Sequence, residues 1–179
     1  MSESEGNCGG GGKVIPLFGS VEVAVRLFAR AMQLDRSKTT WSDAERLYRE
    51  VVRIAPGHWE AWNNLGVMAY QLGRKDEALT AWERAVEENP EAAETFNNIG
   101  TLLQDSGKLE AASVHFVRAL RIDEEMAEAR VNLAMSLQGL GRLGAALRHW
   151  RYYLRRWPNG ESAELARKHE ALCAKAVGR

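Results

Sequence analysis

Cysteine, long apolar runs and net charge are all scarce in this sequence, and each shortage excludes a class of protein. Cys8 lies in a Gly-rich stretch and Cys173 lies near the end of the chain. A structural disulfide is therefore not expected, and a reducing compartment is allowed. No apolar run approaches the roughly 18 residues that a membrane-spanning helix needs. The first residues are acidic and do not form a secretory signal, so we predict a cytoplasmic location and no membrane partner.

The balance of charge hides a gradient along the chain. Lys plus Arg and Asp plus Glu both number 24, so the formal net charge is zero. Residues 59–126 nevertheless carry 6 basic and 13 acidic side chains, whereas residues 127–179 carry 10 basic and 4 acidic ones. The gradient has two interpretations: solvated helix faces, or two ends that steer different partners. The basic end has few base-stacking residues interleaved with its arginines, chiefly Tyr152, Tyr153 and Trp157, so we do not predict nucleic-acid binding.

What the sequence does contain is a repeated unit of 34 residues. The clearest copy spans 59–92, WEAWNNLGVMAYQLGRKDEALTAWERAVEENPEA, and its pattern predicts two helices joined by a short turn. Copies follow without gaps at 93–126 and 127–160, and a degenerate copy precedes at 25–58. Small residues recur at positions 8 and 20, where two helices would cross closely. Large residues recur at position 24 and are expected to fill the space between helices: Tyr48, Trp82, Phe116 and Trp150.

These positions resemble the tetratricopeptide repeat, whose pattern is W-x2-L-G-x2-Y, then A-x3-F, then P. The matching residues of two copies are Trp62, Leu65, Gly66, Ala78, Trp82 and Pro90, then Phe96, Ile99, Gly100, Ala112 and Phe116. The resemblance implies an all-α fold, a right-handed α-solenoid of helix-turn-helix repeats, and the closing segment looks like that of bacterial members. Arg130 replaces the Trp and Glu124 the Pro at one junction, where we expect an altered angle between repeats.

The flanks of the repeats yield further expectations. Residues 1–19 are predicted to be a disordered Gly-rich tail, and residues 20–177 the repeat domain. Thr40-Trp41-Ser42-Asp43 predicts a capping box, and proline at position 32, as Pro56, Pro90 and Pro158, is expected to end the second helix. Gly73, Gly107 and Gly141 are each expected to end a first helix in the left-handed conformation. Residues 161–177 are predicted to form a capping helix over the last repeat.

Side chains that carry chemistry are scattered rather than grouped. His115 and His149 share a repeat position, which would set them about 10 Å apart, too far to share a metal ion at about 2 Å per bond. His169 and Cys173 form half of a metal site, for which ordinary packing is the more common explanation. No serine or cysteine has a recognisable catalytic neighbour. The sequence predicts no enzyme, no metal site and no cofactor.

The resemblance also implies a concave groove lined by the first helices. Its predicted residues are asparagines at positions 5 and 6 and polar residues at position 12: Asn63, Asn64, Asn97, Asn98, Asn132, Tyr70, Gln104 and Gln138. An asparagine amide both donates and accepts, so a ladder of them suits the backbone of an extended peptide. The alternative is that these asparagines bind water or neighbouring helices, and both interpretations stand at this point.

The leading hypothesis is a non-catalytic protein-protein interaction scaffold that binds a peptide or helix of a partner protein in the concave groove. The alternative is the sensor or oligomerisation module of a transcription regulator whose DNA-binding part is absent from this chain. Self-association is a further expectation: the degenerate first repeat exposes an apolar edge suited to a second copy, unless VIPLF at 14–18 covers it.

Overall fold

The computed structural model describes residues 17–178, with side chains from residue 19 onward, as a linear array of helices. The helices are α1 Leu17–Leu34, α2 Trp41–Ile54, α3 Trp59–Gln71, α4 Lys75–Glu88, α5 Ala93–Asp105, α6 Leu109–Ile122, α7 Ala127–Gly139, α8 Leu143–Arg156 and α9 Ala163–Val177. Each helix packs on the next along the series, and no strand occurs over these residues. The predicted all-α solenoid is confirmed. Most of the predicted tail lies outside the described residues, but 17–19 begin α1.

The core of a repeat forms where a glycine of the first helix faces an aromatic ring of the second. A Cβ added to Gly66 would lie 2.5 Å from Trp82 Nε1, and one added to Gly100 would lie 2.6 Å from Phe116 Cε1. Both rings are almost fully buried. The small residue at position 8 is therefore required by the ring at position 24 of the same repeat.

Glycine also reverses the chain inside each regular repeat. Gly73, Gly107 and Gly141 have φ angles of +78°, +73° and +72°, which confirms the predicted left-handed conformation. The amide after the first of these glycines, at Arg74, donates to Ala69 O at 2.9 Å and closes the end of α3. The second helix can then begin within a few residues of the first.

The second helices do not need proline to end. Glu124 stands where proline is expected, yet α6 ends at Ile122, in register with its neighbours. The side chain of Asp123 accepts from the amide of Glu125 at 2.9 Å, as that of Asn89 does from Glu91 at 3.0 Å. This turn offers the backbone an alternative to the helix, so α6 ends at the same position without a proline.

The first repeat departs from the gapless alignment. Six residues separate α1 from α2, whereas three separate α3 from α4, so α1 ends three residues earlier than its counterparts. Ala31 is consequently buried and Met32 is 44% exposed. The predicted capping box is wrong: the Thr40 side chain accepts no hydrogen bond from the first turn of α2, and its hydroxyl instead donates to the carbonyls of Leu34 and Ser37. Thr40 therefore closes the longer turn between α1 and α2 and does not cap α2.

The exposed side of α1 is apolar. Val21 and Val25, one helical turn apart, are 58% and 56% exposed, and Met32 continues the stripe. Self-association through this face stays a prediction. Over the residues described, no helix is both long enough and apolar enough to cross a membrane.

The last helix covers the end of the array. Helix α9 starts at Ala163, two residues after the predicted boundary, and buries Ala166 and Cys173 completely or nearly so. His169 stacks on Trp150 of α8 with ring centroids 5.4 Å apart. Without this helix the ring at position 24 of the last repeat would face solvent.

Candidate functional site

The eight predicted groove residues all lie on α3, α5 and α7, but not all face solvent. Asn63 and Asn97, at position 5, are 6% and 4% exposed and belong to the interior. The other six are half-buried: Asn64, Asn98, Asn132, Tyr70, Gln104 and Gln138. A ligand in the groove would therefore meet the position 6 asparagines and the position 12 side chains first.

The asparagines form a ladder from one repeat to the next. Asn98 Nδ2 donates to Asn63 Oδ1 at 3.1 Å, and Asn132 Nδ2 donates to Asn97 Oδ1 at 3.1 Å. In both pairs the position 6 amide of one repeat reaches back to the position 5 carbonyl of the repeat before. The ladder thus fixes the orientation of the half-buried amides.

This orientation leaves one acceptor exposed on each rung. Asn98 Oδ1 and Asn132 Oδ1 accept no hydrogen bond within the described residues, because the nitrogen of each amide faces the preceding helix. An amide oxygen can accept two hydrogen bonds. The two interpretations of the asparagines are therefore compatible: the nitrogens bind neighbouring helices and the oxygens stay available.

Asn63 has a structural role that the sequence pattern did not single out. Its Oδ1 also accepts from Thr95 Oγ1 at 3.0 Å, and its backbone carbonyl accepts from Trp82 Nε1 at 3.0 Å. Thr95 is fully buried. The sequence held one signal for this contact with Asn63. Thr95 is polar, whereas the neighbouring copies have alanine at the same position, Ala61 and Ala129.

Asn64 begins the ladder differently, because α1 contains no asparagine. Its Nδ2 donates to the Tyr48 hydroxyl at 3.2 Å, and that hydroxyl donates to Asp35. Burial and the Asp35 carboxylate raise the pKa of Tyr48 far above its usual value of 10. The hydroxyl stays protonated and holds the amide in place.

Two of the position 12 residues connect consecutive first helices. The Tyr70 hydroxyl donates to Asp105, and this bond with partial burial raises the pKa of Tyr70 to about 12. Gln104 Nε2 donates to Asn132 O at 3.2 Å and to Ser136 Oγ at 2.9 Å. The groove wall is therefore joined by hydrogen bonds over its length.

Gln138 holds the capping helix. Its Oε1 lies 3.0 Å from His169 Nδ1 and 3.5 Å from Cys173 Sγ. Burial raises the pKa of the Cys173 thiol, which makes it a packing group rather than a nucleophile. Among the side chains described, no group of three potential ligands could hold a metal ion.

The junction with the unusual Arg130 and Glu124 keeps the hydrogen bond of the regular repeat. Trp62 Nε1 donates to Pro56 O at 2.7 Å, and Arg130 Nη2 donates to Glu124 O, the equivalent carbonyl, also at 2.7 Å. The Arg130 guanidinium lies 3.7 Å from the ring centroid of Tyr152. The expected change of angle between the repeats stays a prediction.

The comparison with protein-family models identifies the same family for two parts of the chain. Two family models, both described as tetratricopeptide repeat, match residues 33–94 and 92–125. Together they cover 33–125, which is more than half of the 179 residues. No curated protein sequence matched the chain.

Solved structures share the fold. An O-GlcNAc transferase mutant of Thermobaculum terrenum is 26% identical with a TM-score of 0.71, over 77% of this chain and 27% of that one. YrrB, titled a TPR protein with an unusual peptide-binding site, is 20% identical with a TM-score of 0.73, over 92% and 84%. The first TPR of Spaghetti bound to an HSP90 peptide is 19% identical with a TM-score of 0.63, over 67% and 94%. The chain thus spans about a quarter of the transferase, and its likeness to the other two is one of fold.

Proposed function

Because this chain belongs to the tetratricopeptide repeat family, we propose that it is a non-catalytic scaffold that binds an extended peptide of a partner protein in the concave groove. The observation that carries the proposal is the pair of unused acceptors, Asn98 Oδ1 and Asn132 Oδ1, held one repeat apart by the asparagine ladder. Both oxygens suit peptide N–H groups, which recognise a backbone without demanding particular side chains.

The spacing of the acceptors suits an extended chain. Equivalent residues of adjacent helices lie about 10 Å apart, and a peptide in the extended polyproline II conformation rises about 3.1 Å per residue with three residues per turn. Every third peptide N–H would then meet an asparagine oxygen. Because the ladder already fixes these amides, binding would cost little side-chain entropy. Tyr70, Gln104 and Gln138 would flank the peptide and select its side chains.

Peptides selected from a random display library on the immobilised chain test this proposal. We expect the selected peptides to bind Asn98→Ala at least about tenfold more weakly than the native chain, since the variant loses an acceptor at the centre of the groove. The matched control is Asn63→Ala, which loses the same Asn98–Asn63 hydrogen bond but keeps Asn98 Oδ1. It should weaken binding less. Helix content by circular dichroism would establish that both variants fold.

Equal binding by the native chain and by the triple variant of Asn64, Asn98 and Asn132 to Ala would contradict the proposal. A scaffold role and a cytoplasmic location belong to the same proposal. Nothing in the part of the chain that the structure describes favours the alternative of a regulator's sensor or oligomerisation module, and we assign no described residue a catalytic role.

A further inference from the structure

A second groove, separate from the concave groove, lies between α6 and α8. It encloses about 930 Å³, with Leu133 and Leu137 of α7 as its floor, and none of the eight predicted residues lines it. Val114 and Val117 on its α6 wall are 67% and 37% exposed. An open apolar groove of this kind is typical of an interaction surface.

A counterpart two repeats earlier, between α2 and α4, is smaller, at about 290 Å³. Ion pairs close it. Glu45 pairs with Arg49 at 2.7 Å and with Arg74 at 2.6 Å. Glu77 pairs with the same two arginines at 2.8 and 3.2 Å. Four side chains, from α2, α4 and the turn before α4, thus occupy the space between α2 and α4.

The α6–α8 groove lacks this network. The equivalent residues are Ser113 for Glu45, Val117 for Arg49, Arg142 for Arg74 and Ala145 for Glu77. Both carboxylates are missing, so Arg142 keeps the place of Arg74 without its partners. Among the described residues none of the three arginines at this groove, Arg118, Arg121 and Arg142, forms an ion pair. The larger volume and the unpaired arginines therefore occur together at this groove.

The groove continues into a basic surface. His149 lines it together with two smaller cavities, of about 350 and 230 Å³. Burial and then the charges of Arg130 and Arg148 lower the pKa of His149, which stays neutral at pH 7. The charged residues along the three cavities are Arg118, Arg121, Arg130, Arg142, Arg148, Arg151 and Arg155, against Glu91, Glu110 and Glu124. The apolar floor is therefore bordered by an excess of positive charge.

We propose that the α6–α8 groove is a second docking site, which takes an amphipathic helix with acidic flanks from a partner protein. Apolar side chains of that helix pack on Val114, Val117 and Leu137, and its carboxylates pair with Arg121 and Arg142. Helices α6 and α8 have 14 residues each, which is about 21 Å, so a helix of similar length fills the groove. Nucleic acid fits less well, because apart from His149 the residues that line the groove give bases no ring to stack on.

The test is a display library of peptides of about 16 residues, selected on the native chain. A closed-groove variant, Ser113→Glu with Val117→Arg and Ala145→Glu, serves as soluble competitor, because it restores the network that closes the α2–α4 groove. We expect the recovered peptides to be acidic, with apolar residues at helical spacing. Their affinity should fall at least about tenfold on Arg142→Gln, which tests the charge without relying on the triple variant.

Two controls separate this site from others. Val23→Arg changes a valine that is 42% exposed on α1, outside the groove, and should leave the affinity unchanged. Asn98→Ala should also leave it unchanged, so failure of this proposal and failure of the concave groove are distinguishable. Circular dichroism establishes that the closed-groove variant folds.

Three results would overturn the proposal. The first is recovery of peptides that bind the native chain and Arg142→Gln equally. The second is a native dimer that Val117→Arg dissociates in sedimentation, which would make a second copy the occupant. The third is tighter, Arg142-dependent binding of a mixed-sequence single-stranded DNA than of any recovered peptide.

Discussion

At the scale of single residues, the glycines of the repeat have unequal roles. Gly100 has no room for a Cβ because the Phe116 ring lies against it, whereas a Cβ at Gly144 on α8 would meet nothing within 4 Å. In the sequence, Gly100 has the repeat position where small residues recur, and Gly144 does not. The physical reason is the ring that the second helix brings to Gly100 and not to Gly144.

Gly100→Ala is expected to lower the free energy of unfolding by about 1–3 kcal/mol, because the Phe116 ring must shift. Gly144→Ala, the matched control, should leave it unchanged or raise it by up to about 1 kcal/mol through better helix propensity. Urea unfolding followed by circular dichroism measures both. A Gly100→Ala protein as stable as the control would show that the ring accommodates the methyl group.

At the scale of helices, the ion-pair network between α2 and α4 joins the degenerate first repeat to the regular ones. Glu45, 9% exposed, is its centre. Burial raises the pKa of the Glu45 carboxyl, but the guanidinium groups of Arg74 and Arg49 outweigh burial and bring it below 4.5. The carboxylate therefore contributes stability only while it is charged.

Glu45→Gln is expected to lower the free energy of unfolding at pH 7 by roughly 1–2 kcal/mol. Because the folded pKa lies below the unfolded one of about 4.3, this contribution is complete above that value. It is lost as the pH falls through the folded pKa. Urea titrations from pH 7 to pH 3 should show the native chain and the variant converging. Glu87→Gln, which removes only an exposed pair with Arg84, should show no measurable change. A difference that grows toward low pH would contradict this account.

At the scale of the whole molecule, the array is held together by neighbours only. Each helix packs on the next, and contacts beyond adjacent repeats are few. Stability in such an array is a sum of repeat and interface contributions, so damage at one end should stay near that end. Helix α9 contributes the last interface of the array, with α8.

Ala166→Asp is expected to undock α9, because Ala166 has no exposed surface and an aspartate there would be a buried, unpaired charge. Ala171→Asp, on the exposed side of the same helix, is the matched control. Hydrogen exchange measured by mass spectrometry should show lost protection in α7 to α9 and little change in α1 to α4. Uniform loss over the array would mean that the repeats unfold as one unit.

The sequence by itself determined the fold and the positions that build it. A 34-residue period with small residues at position 8 and rings at position 24 is sufficient, because neighbouring copies can bury those residues only by stacking. The first repeat was the exception. Its longer turn has no periodic pattern, so only the structure showed that α1 ends three residues earlier than its counterparts and that Thr40 closes the turn.

Only the tertiary structure decided which of the repeated residues are buried and which partners each of them contacts. The asparagines were visible in the sequence, but the burial of Asn63 and the outward oxygen of Asn98 depend on which helix stands beside each amide. Likewise, Arg74 and Arg142 have the same repeat position. Arg74 pairs with Glu45 and Glu77 and closes the α2–α4 groove, whereas the residues equivalent to these carboxylates near Arg142 are Ser113 and Ala145. A period in the sequence fixes which residues are equivalent, whereas contacts between helices distant in the chain fix what each of them binds.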